Sequence, residues 1–302
     1  MKLKSACLAL STLALVPFSA QAAESEYDYN FYGSLRVMVE EAKHDNGDSF
    51  KDAVSRIGVE GSHNLGDGMQ AFAKYELSVD VAEGELGSDT GKDARQAYIG
   101  LSSDYGSLML GRYWSSFYNA VGYAGDQLWV HSSPVYYTLD WDYRIGKSVM
   151  YTSPEMNGVQ VSALYSDERE QGQLAATWQA TDSLKLAAGY IDDADNNDSV
   201  GLAAYYTGSG YYLNAMLMDK DNQGRGIDLI GGISAEKHLY TAGVSSFEDR
   251  SGTDNDFDAL ILAYQYNLHP KVKLWVEAKA WDGVLYGVED SNLIALGMNY
   301  DF

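Results

Sequence analysis

The residues of this chain that could carry chemistry are charged rather than nucleophilic. Five histidines, His44, His63, His131, His238 and His269, sit in or beside loops and turns. None has a recognisable serine partner, and together they make no metal-ligand spacing. No catalytic residue, metal or cofactor is therefore expected. What remains is electrostatic. Arg36 and Lys74 fall on the polar faces of alternating segments, and Arg56 shares a face with Gly58, Glu60 and Ser62, opposite Ile57 and Val59. Basic side chains on neighbouring strands would form one positive wall. The longest connection, Ser115–Arg144, carries Asp126, Asp140 and Asp142. It is rich in aromatics and poor in flexible linker residues, so an ordered inward fold is expected; loops of that length are usually functional or disordered. A negative loop facing a positive wall across water sets up a transverse field that orients dipolar solutes and resists apolar ones.

Alternating strands must hold these side chains. From Tyr27 to Glu40 the odd positions, such as Phe31, Leu35, Val37 and Val39, are apolar, and the even ones, such as Asn30, Ser34 and Arg36, are mostly polar. Met69–Asp80 and Lys271–Trp281 repeat the pattern. A period of two marks strands with two unlike faces. Short turn signals sit at Asn64–Gly68, Asp104–Gly106, Pro154–Gly158, Thr181–Ser183, Gly208–Gly210, Ala235–His238 and His269–Pro270. Longer polar connections alternate with them: Glu41–Asp52, Val81–Lys92, Ser115–Arg144, Asp167–Gln171, Asp192–Asp198, Asp221–Gly226, Asp249–Asn255 and Asp282–Asp290. Seven short and eight long connections join about sixteen strands, with both chain ends on the short-turn side. The expected fold is all-β, a closed antiparallel transmembrane barrel. Closure matters because hydrocarbon offers no partner to a backbone N–H or C=O, and a barrel has no open edge. Tyr27, Tyr165, Tyr190, Tyr211, Tyr266 and Tyr300, near strand ends, suit girdles where a ring meets lipid headgroups.

Composition agrees. The chain has 302 residues, 24 tyrosines, 30 glycines and 4 prolines. After the first residues no long apolar stretch occurs, as helical spans would require. Lys2 and Lys4, the apolar run Ala6–Val16 and the small-x-small site Ala20-Gln21-Ala22 have the layout of a secretory leader. Residues 1–22 are expected to be removed, leaving 23–302 as a single barrel domain. The sole cysteine, Cys7, leaves with them, so no disulfide is expected. Loss of the two lysines takes the formal charge from −22 to −24. Such a charge repels nucleic acid and anionic lipid and suits a surface that meets divalent cations, for example at lipopolysaccharide.

Several stretches resemble the general Gram-negative outer-membrane porins. They are Phe31-Tyr32-Gly33, Ser55-Arg56-Ile57-Gly58-Val59-Glu60-Gly61, Arg95-Gln96-Ala97-Tyr98-Ile99-Gly100-Leu101, Asp104-Tyr105-Gly106-Ser107 and Gly111-Arg112. Tyr118-Asn119-Ala120-Val121-Gly122-Tyr123 resembles the start of that family's constriction loop. The match spans the chain and is dense over roughly its first half. The final alternating strand ends on Phe302, which resembles the signal by which the barrel-assembly machinery recognises such proteins. The resemblance implies a sixteen-stranded barrel, a homotrimer, one loop folded into each pore, and passage of small hydrophilic solutes. It adds Arg95 to the basic wall of Arg36, Arg56 and Lys74, and it puts Asp126 closest to the family's acidic pair. The loop departs from well-known enterobacterial members in lacking their Pro-Glu-Phe-Gly-Gly stretch.

Further expectations follow. Glu60 and Glu76 on lumen faces, with the overall acidic excess, predict weak cation selectivity. Arg112 shares parity with Leu108 and Leu110 and so points away from the lumen. A lone lipid-facing arginine costs about 2–4 kcal/mol at the membrane midplane, so an acidic partner, Glu83 or Glu85 of the next subunit, is expected as a trimer latch. A sugar-selective channel, with Trp114, Trp129 and Trp141 as a stacking path, is the closer alternative. A barrel enzyme and a secreted adhesin are the remote ones.

Overall fold

The computed structural model describes residues 27–42, 49–87, 94–139, 143–194, 197–285 and 287–302. The leader, its cleavage site, and Asp140 and Asp142 lie outside them. The strands are β1 (Tyr27–Ala42), β2 (Phe50–Asp52), β3 (Arg56–Gly66), β4 (Met69–Asp80), β5 (Glu85–Leu86), β6 (Ala94–Ser103), β7 (Gly106–Trp114), β8 (Arg144–Thr152) and β9 (Val159–Ser166). They continue as β10 (Gln171–Thr181), β11 (Leu184–Asp193), β12 (Ser199–Gly208), β13 (Tyr211–Lys220), β14 (Gly224–Ala235), β15 (His238–Asp249), β16 (Phe257–His269), β17 (Val272–Leu285) and β18 (Val288–Asp301). Two short helices, α1 (Ser116–Ala120) and α2 (Pro134–Leu139), lie between β7 and β8.

β2 and β5 are stubs that pair β1 and β4 beside the wall. The other sixteen strands form one antiparallel meander, each bonded to the next. β1 closes the ring on β18, from Ser34↔Asp301 to Ala42↔Leu293. Phe302 completes the seam. Its N–H donates to the Gly33 carbonyl at 3.1 Å, and its carbonyl accepts from the Gly33 N–H at 3.2 Å. A Cβ at Gly33 would lie 2.3 Å from the Phe302 ring, so any larger residue there would push the terminal aromatic from its place at the seam.

The alternation runs inside out relative to a water-soluble protein. Along β18, Ser291, Leu293, Ala295 and Asn299 are buried, while Ile294, Leu296, Met298 and Tyr300 are exposed. Leu186, Leu202, Leu213, Leu229, Val244 and Leu260 carry the same exposed apolar face around the wall. This is the pattern of a wall whose outside meets hydrocarbon. Tyr165, Tyr190, Tyr211 and Tyr300 are exposed on it, as girdle residues require.

The short turns fall where the turn chemistry placed them. Two of the long connections are shorter than composition suggested. β17 and β18 run through most of Asp282–Asp290, leaving residues 286 and 287 between them, and β13 reaches β14 through residues 221–223. Polar strand ends read as loop because sequence shows polarity, and strands longer than the roughly 9–11 residues a membrane needs extend as polar hairpins into water.

The apolar core lies inside the barrel, where the α1–α2 segment packs on the inner wall. Phe117, Val121, Val135, Tyr136 and Leu139 are fully buried against Ala187, Ile191, Ala203, Met216, Met218 and Phe247. Gly189 and Gly201 are cross-strand partners, and the Phe117 ring lies over both. A Cβ would come within 2.7 and 2.5 Å of that ring.

Candidate pore wall and inward loop

The inward segment is pinned by side chains of the wall. Ser115 caps α1, accepting from the Tyr118 N–H at 3.1 Å. Gln173 on β10 accepts from the Phe117 N–H at 3.0 Å. The Tyr205 hydroxyl donates to the Ala120 carbonyl at 2.8 Å, and the Ser133 hydroxyl to the Asp228 carboxylate at 3.0 Å. The strongest fixture is Glu277 on β17. Its side chain is fully buried and accepts from three consecutive backbone N–H groups, Trp129 at 2.5 Å, Val130 at 3.2 Å and His131 at 3.0 Å. A buried carboxylate is tolerable only when its oxygens are satisfied in this way. His131 Nε2 also lies 2.6 Å from a Glu40 oxygen on β1. The far end of the segment therefore spans from β17 to β1.

Of the four residues expected to form the basic wall, Arg56 and Arg95, on β3 and β6, meet at Glu76 of β4. Arg95 Nε donates to Glu76 at 2.9 Å, Arg56 Nε lies 3.9 Å from its second oxygen, and the Tyr32 hydroxyl donates to it at 2.8 Å. Arg36, buried, donates to the Ser34 hydroxyl at 2.8 Å. Lys74 stands apart. It pairs with Glu60 at 3.1 Å and lies 4.7 Å from the Tyr32 ring, so an acid on its own face neutralises it. Arg144, read from sequence as the end of a loop, opens β8 instead and is paired with Trp114 in register. Its guanidinium lies over Trp114 at 4.9 Å and Tyr143 at 4.7 Å. Parity already put Glu76 on a lumen face; no local signal marked Glu277 as the acceptor for a segment 146 to 148 residues away.

The acid of the segment is not its tip. Asp126 accepts from the Tyr118 and Ser132 hydroxyls, both at 2.5 Å, so both its oxygens are engaged within the segment. Burial, followed by the charge of Asp126, pushes the Tyr118 phenol well above its ordinary value. The same two causes push Tyr123 up to about 12. The residue that meets the wall is Trp129. The Arg36 guanidinium lies 4.8 Å and the Lys273 ammonium 5.3 Å from its ring, and its indole N–H donates to Gln265 at 3.0 Å. Cation–aromatic contact thus replaces the expected acid–base facing at Arg36. Trp114 stacks on Tyr118 at 4.6 Å. The Arg144 guanidinium also lies over its ring, so Trp114 packs within the protein against Tyr118 and Arg144.

Arg112 has partners within its own chain. It keeps the parity of Leu110, pairing Ala97 where Leu110 pairs Ile99. Its Nε donates to the Ala94 carbonyl at 3.1 Å, and Nη1 lies 3.8 Å from Glu168 of the same chain. The arginine therefore reaches an acid of its own barrel. Glu83 and Glu85 are both exposed, Glu83 just before the stub β5 and Glu85 within it.

Comparison with known proteins gives a consistent picture. Residues 9–283 match the family model described as Gram-negative porin. The major outer membrane protein P.IB of Neisseria meningitidis serogroup B is 33% identical over 121 residues, 36% of this chain and 34% of that protein. That match spans about a third of the relative. The P.IB of Neisseria gonorrhoeae is 22% identical over 335 residues, covering 91% of this chain and 93% of the relative. Among solved structures, an anion-selective porin from Comamonas acidovorans superposes with a TM-score of 0.78 at 15% identity, over 92% of this chain and all of that one. OmpF of Salmonella typhi, in complex with daunomycin, gives 0.72 at 16%, over 92% and 98%.

Proposed function

Since this chain belongs to the Gram-negative porin family and forms an outer-membrane β-barrel, we propose that it is a water-filled pore for passive diffusion of small hydrophilic solutes and ions. The observation that carries this reading is the arrangement inside the barrel. A segment pinned by Gln173, Asp228 and Glu277 narrows the lumen from one side, while Arg56 and Arg95 meet a single carboxylate, Glu76, on the other, and Arg36 lies against Trp129 of the segment. Passage then needs no nucleophile, only a hole of limited width and a field across it.

A weak cation preference is part of this proposal. The arginine belt favours anions locally, but the chain's large acidic excess acts at both mouths, and cations gather there first. Salt should reduce the preference, since the screening length is about 10 Å at 0.1 M and about 3 Å at 1 M. The protein is further proposed to lose residues 1–22 on export, to be inserted by the barrel-assembly machinery through its Phe302 end, and to work as a homotrimer. Its acidic long connections would face outward and meet lipopolysaccharide through divalent cations. Single-channel conductance with reversal potentials, and with added sugars, tests the pore reading. Ohmic currents with a small cation-favouring potential and no sugar block support it. Saturable sugar block would favour a substrate-specific channel instead.

A further inference from the structure

The outer wall carries a groove of about 830 Å³ across β13–β17 that the channel does not use. Its construction is visible row by row. In one cross-strand row, Gly231 faces Ala242, Ala242 faces Leu262, and Leu262 faces Ala278. The row above it, Leu229, Val244 and Leu260, stands proud. So does the row below, where Ile233 faces Tyr240 and Tyr240 faces Tyr264. The dent is overwhelmingly apolar, its low floor lies at Gly231, Ala242 and Ala278 with Leu262 rising between the last two, and it opens to the side that hydrocarbon covers.

Below the dent, at the short-turn end, is a second and different feature. His238 stacks on Tyr240 and Tyr264, with ring centroids 6.3 and 5.9 Å apart, and its Nδ1 lies 2.8 Å from the Tyr264 hydroxyl. Tyr266 faces His238 across the strands, and the Lys237 ammonium sits 6.0 Å from the Tyr266 ring. Lys237 is exposed in the turn, beside the exposed Glu236. Aromatic rings crowned by a lysine are the chemistry of the headgroup level, where an amphipathic ring and a snorkelling ammonium are both satisfied.

The two features are spaced as one lipid requires. From the His238 row to the Ala242 row is four residues, about 13–14 Å along a strand. At a strand tilt of about 40° this is about 10 Å along the membrane normal. A phosphate held at Lys237 would therefore place its first methylenes in the dent. We propose that this groove is a binding site for an anionic phospholipid of the periplasmic leaflet. Lys237 and the aromatic cluster take the headgroup, and the dent at Gly231, Ala242 and Ala278 takes one acyl chain. Charge selects the occupant locally: the net charge of the whole chain disfavours anionic lipid elsewhere on the wall, and the Lys237 ammonium at this rim complements a phosphodiester carrying net negative charge.

The test is native mass spectrometry of the purified full chain, titrated with palmitoyl-oleoyl phosphatidylglycerol or with phosphatidylcholine of the same chains. The expected result is one tightly retained phosphatidylglycerol per chain, held about tenfold more tightly than phosphatidylcholine. Ala242→Phe, which fills the dent from the lipid side, should lower that affinity about tenfold. Lys237→Gln should bring phosphatidylglycerol down to the phosphatidylcholine level. Ala188→Phe, on the exposed face of β11, should change neither. Equal affinity for the two lipids in the unaltered chain, or undiminished binding by Ala242→Phe, overturns the proposal. Conductance measured on the same preparations should be unchanged in all three variants, so failure of the lipid site is distinguishable from failure of the pore reading.

Discussion

Removing the Glu277 carboxylate should release the inward segment without melting the barrel. Glu277→Ala leaves the N–H groups of Trp129, Val130 and His131 without their shared acceptor. A hydrogen bond to a charged group contributes about 1.5–3 kcal/mol, and an unsatisfied buried donor costs about 1–3 kcal/mol. The three bonds are not additive, and water from the lumen can replace part of them. A net loss of about 3 kcal/mol in pinning is a reasonable expectation, which is a rise of about 100-fold in the unpinned population at about 1.4 kcal/mol per tenfold. Glu277→Gln keeps one acceptor oxygen and should show an intermediate effect. The assay is single-channel recording at constant voltage. Glu277→Ala should give open-channel noise and brief conductance steps that the unaltered chain lacks, and Glu277→Gln fewer of them. Thermal unfolding of the barrel should shift little, because the ladder of β17 with β16 and β18 uses backbone groups the substitution leaves alone. Quiet channels from Glu277→Ala would refute the reasoning. So would a collapse of barrel stability with the segment still in place, since Glu277 would then belong to the wall alone.

Other outcomes follow from the same geometry. Arg56→Ser and Arg95→Ser should each strengthen cation preference and enlarge conductance, with Arg95 the larger because it contacts Glu76 more closely; a reversal potential shifted toward anions would show that the belt is misassigned. Deleting Phe302 should lower the outer-membrane yield and leave unassembled protein in the periplasm, read by fractionation; a normal yield would remove the assembly role. Cysteines at Gln223 and Asp254 should react with an impermeant maleimide on intact cells, and cysteines at Ser183 and Ser209 should not; the reverse result inverts the orientation. Arg112→Ala and Glu168→Ala should each lower the temperature at which the barrel itself unfolds, read by heat-modifiability on a gel, and the double variant should be no worse than either. An exposed pair contributes only about 0–1 kcal/mol, so the expected shift is a few degrees. Additive losses would mean the two residues have separate partners.

Strand parity was the most legible layer. Arg36 and Arg56 lie inside and Phe31, Leu296 and Met298 outside because the side-chain period of a strand is two and does not depend on the rest of the chain. The two-residue turns were equally plain. At Asp67-Gly68 both residues take positive φ, 51° and 73°, a conformation that Asp-Gly suits and most residues do not. Closure followed too, since a membrane strand without a paired neighbour on each side is untenable. Loop lengths were less legible, because the polar end of a hairpin in water and a true loop have the same composition. The stretch Asp282–Asp290 is such a case.

What only the tertiary structure decided is which charge meets which partner. Sequence alone put Asp126 in the inward segment and the arginines on the wall, and their opposite signs suggested that they face each other. Folding instead turns Asp126 onto Tyr118 and Ser132, brings Trp129 to Arg36, and gives Arg112 a partner in Glu168 of its own chain. The grip of Glu277 on residues 129–131 was invisible for the same reason. Periodicity is a local property, written in every few residues. Charge pairing depends on where a buried segment comes to rest, and Phe117 on the Gly189 and Gly201 pair helps set that, through contacts between residues more than seventy positions apart.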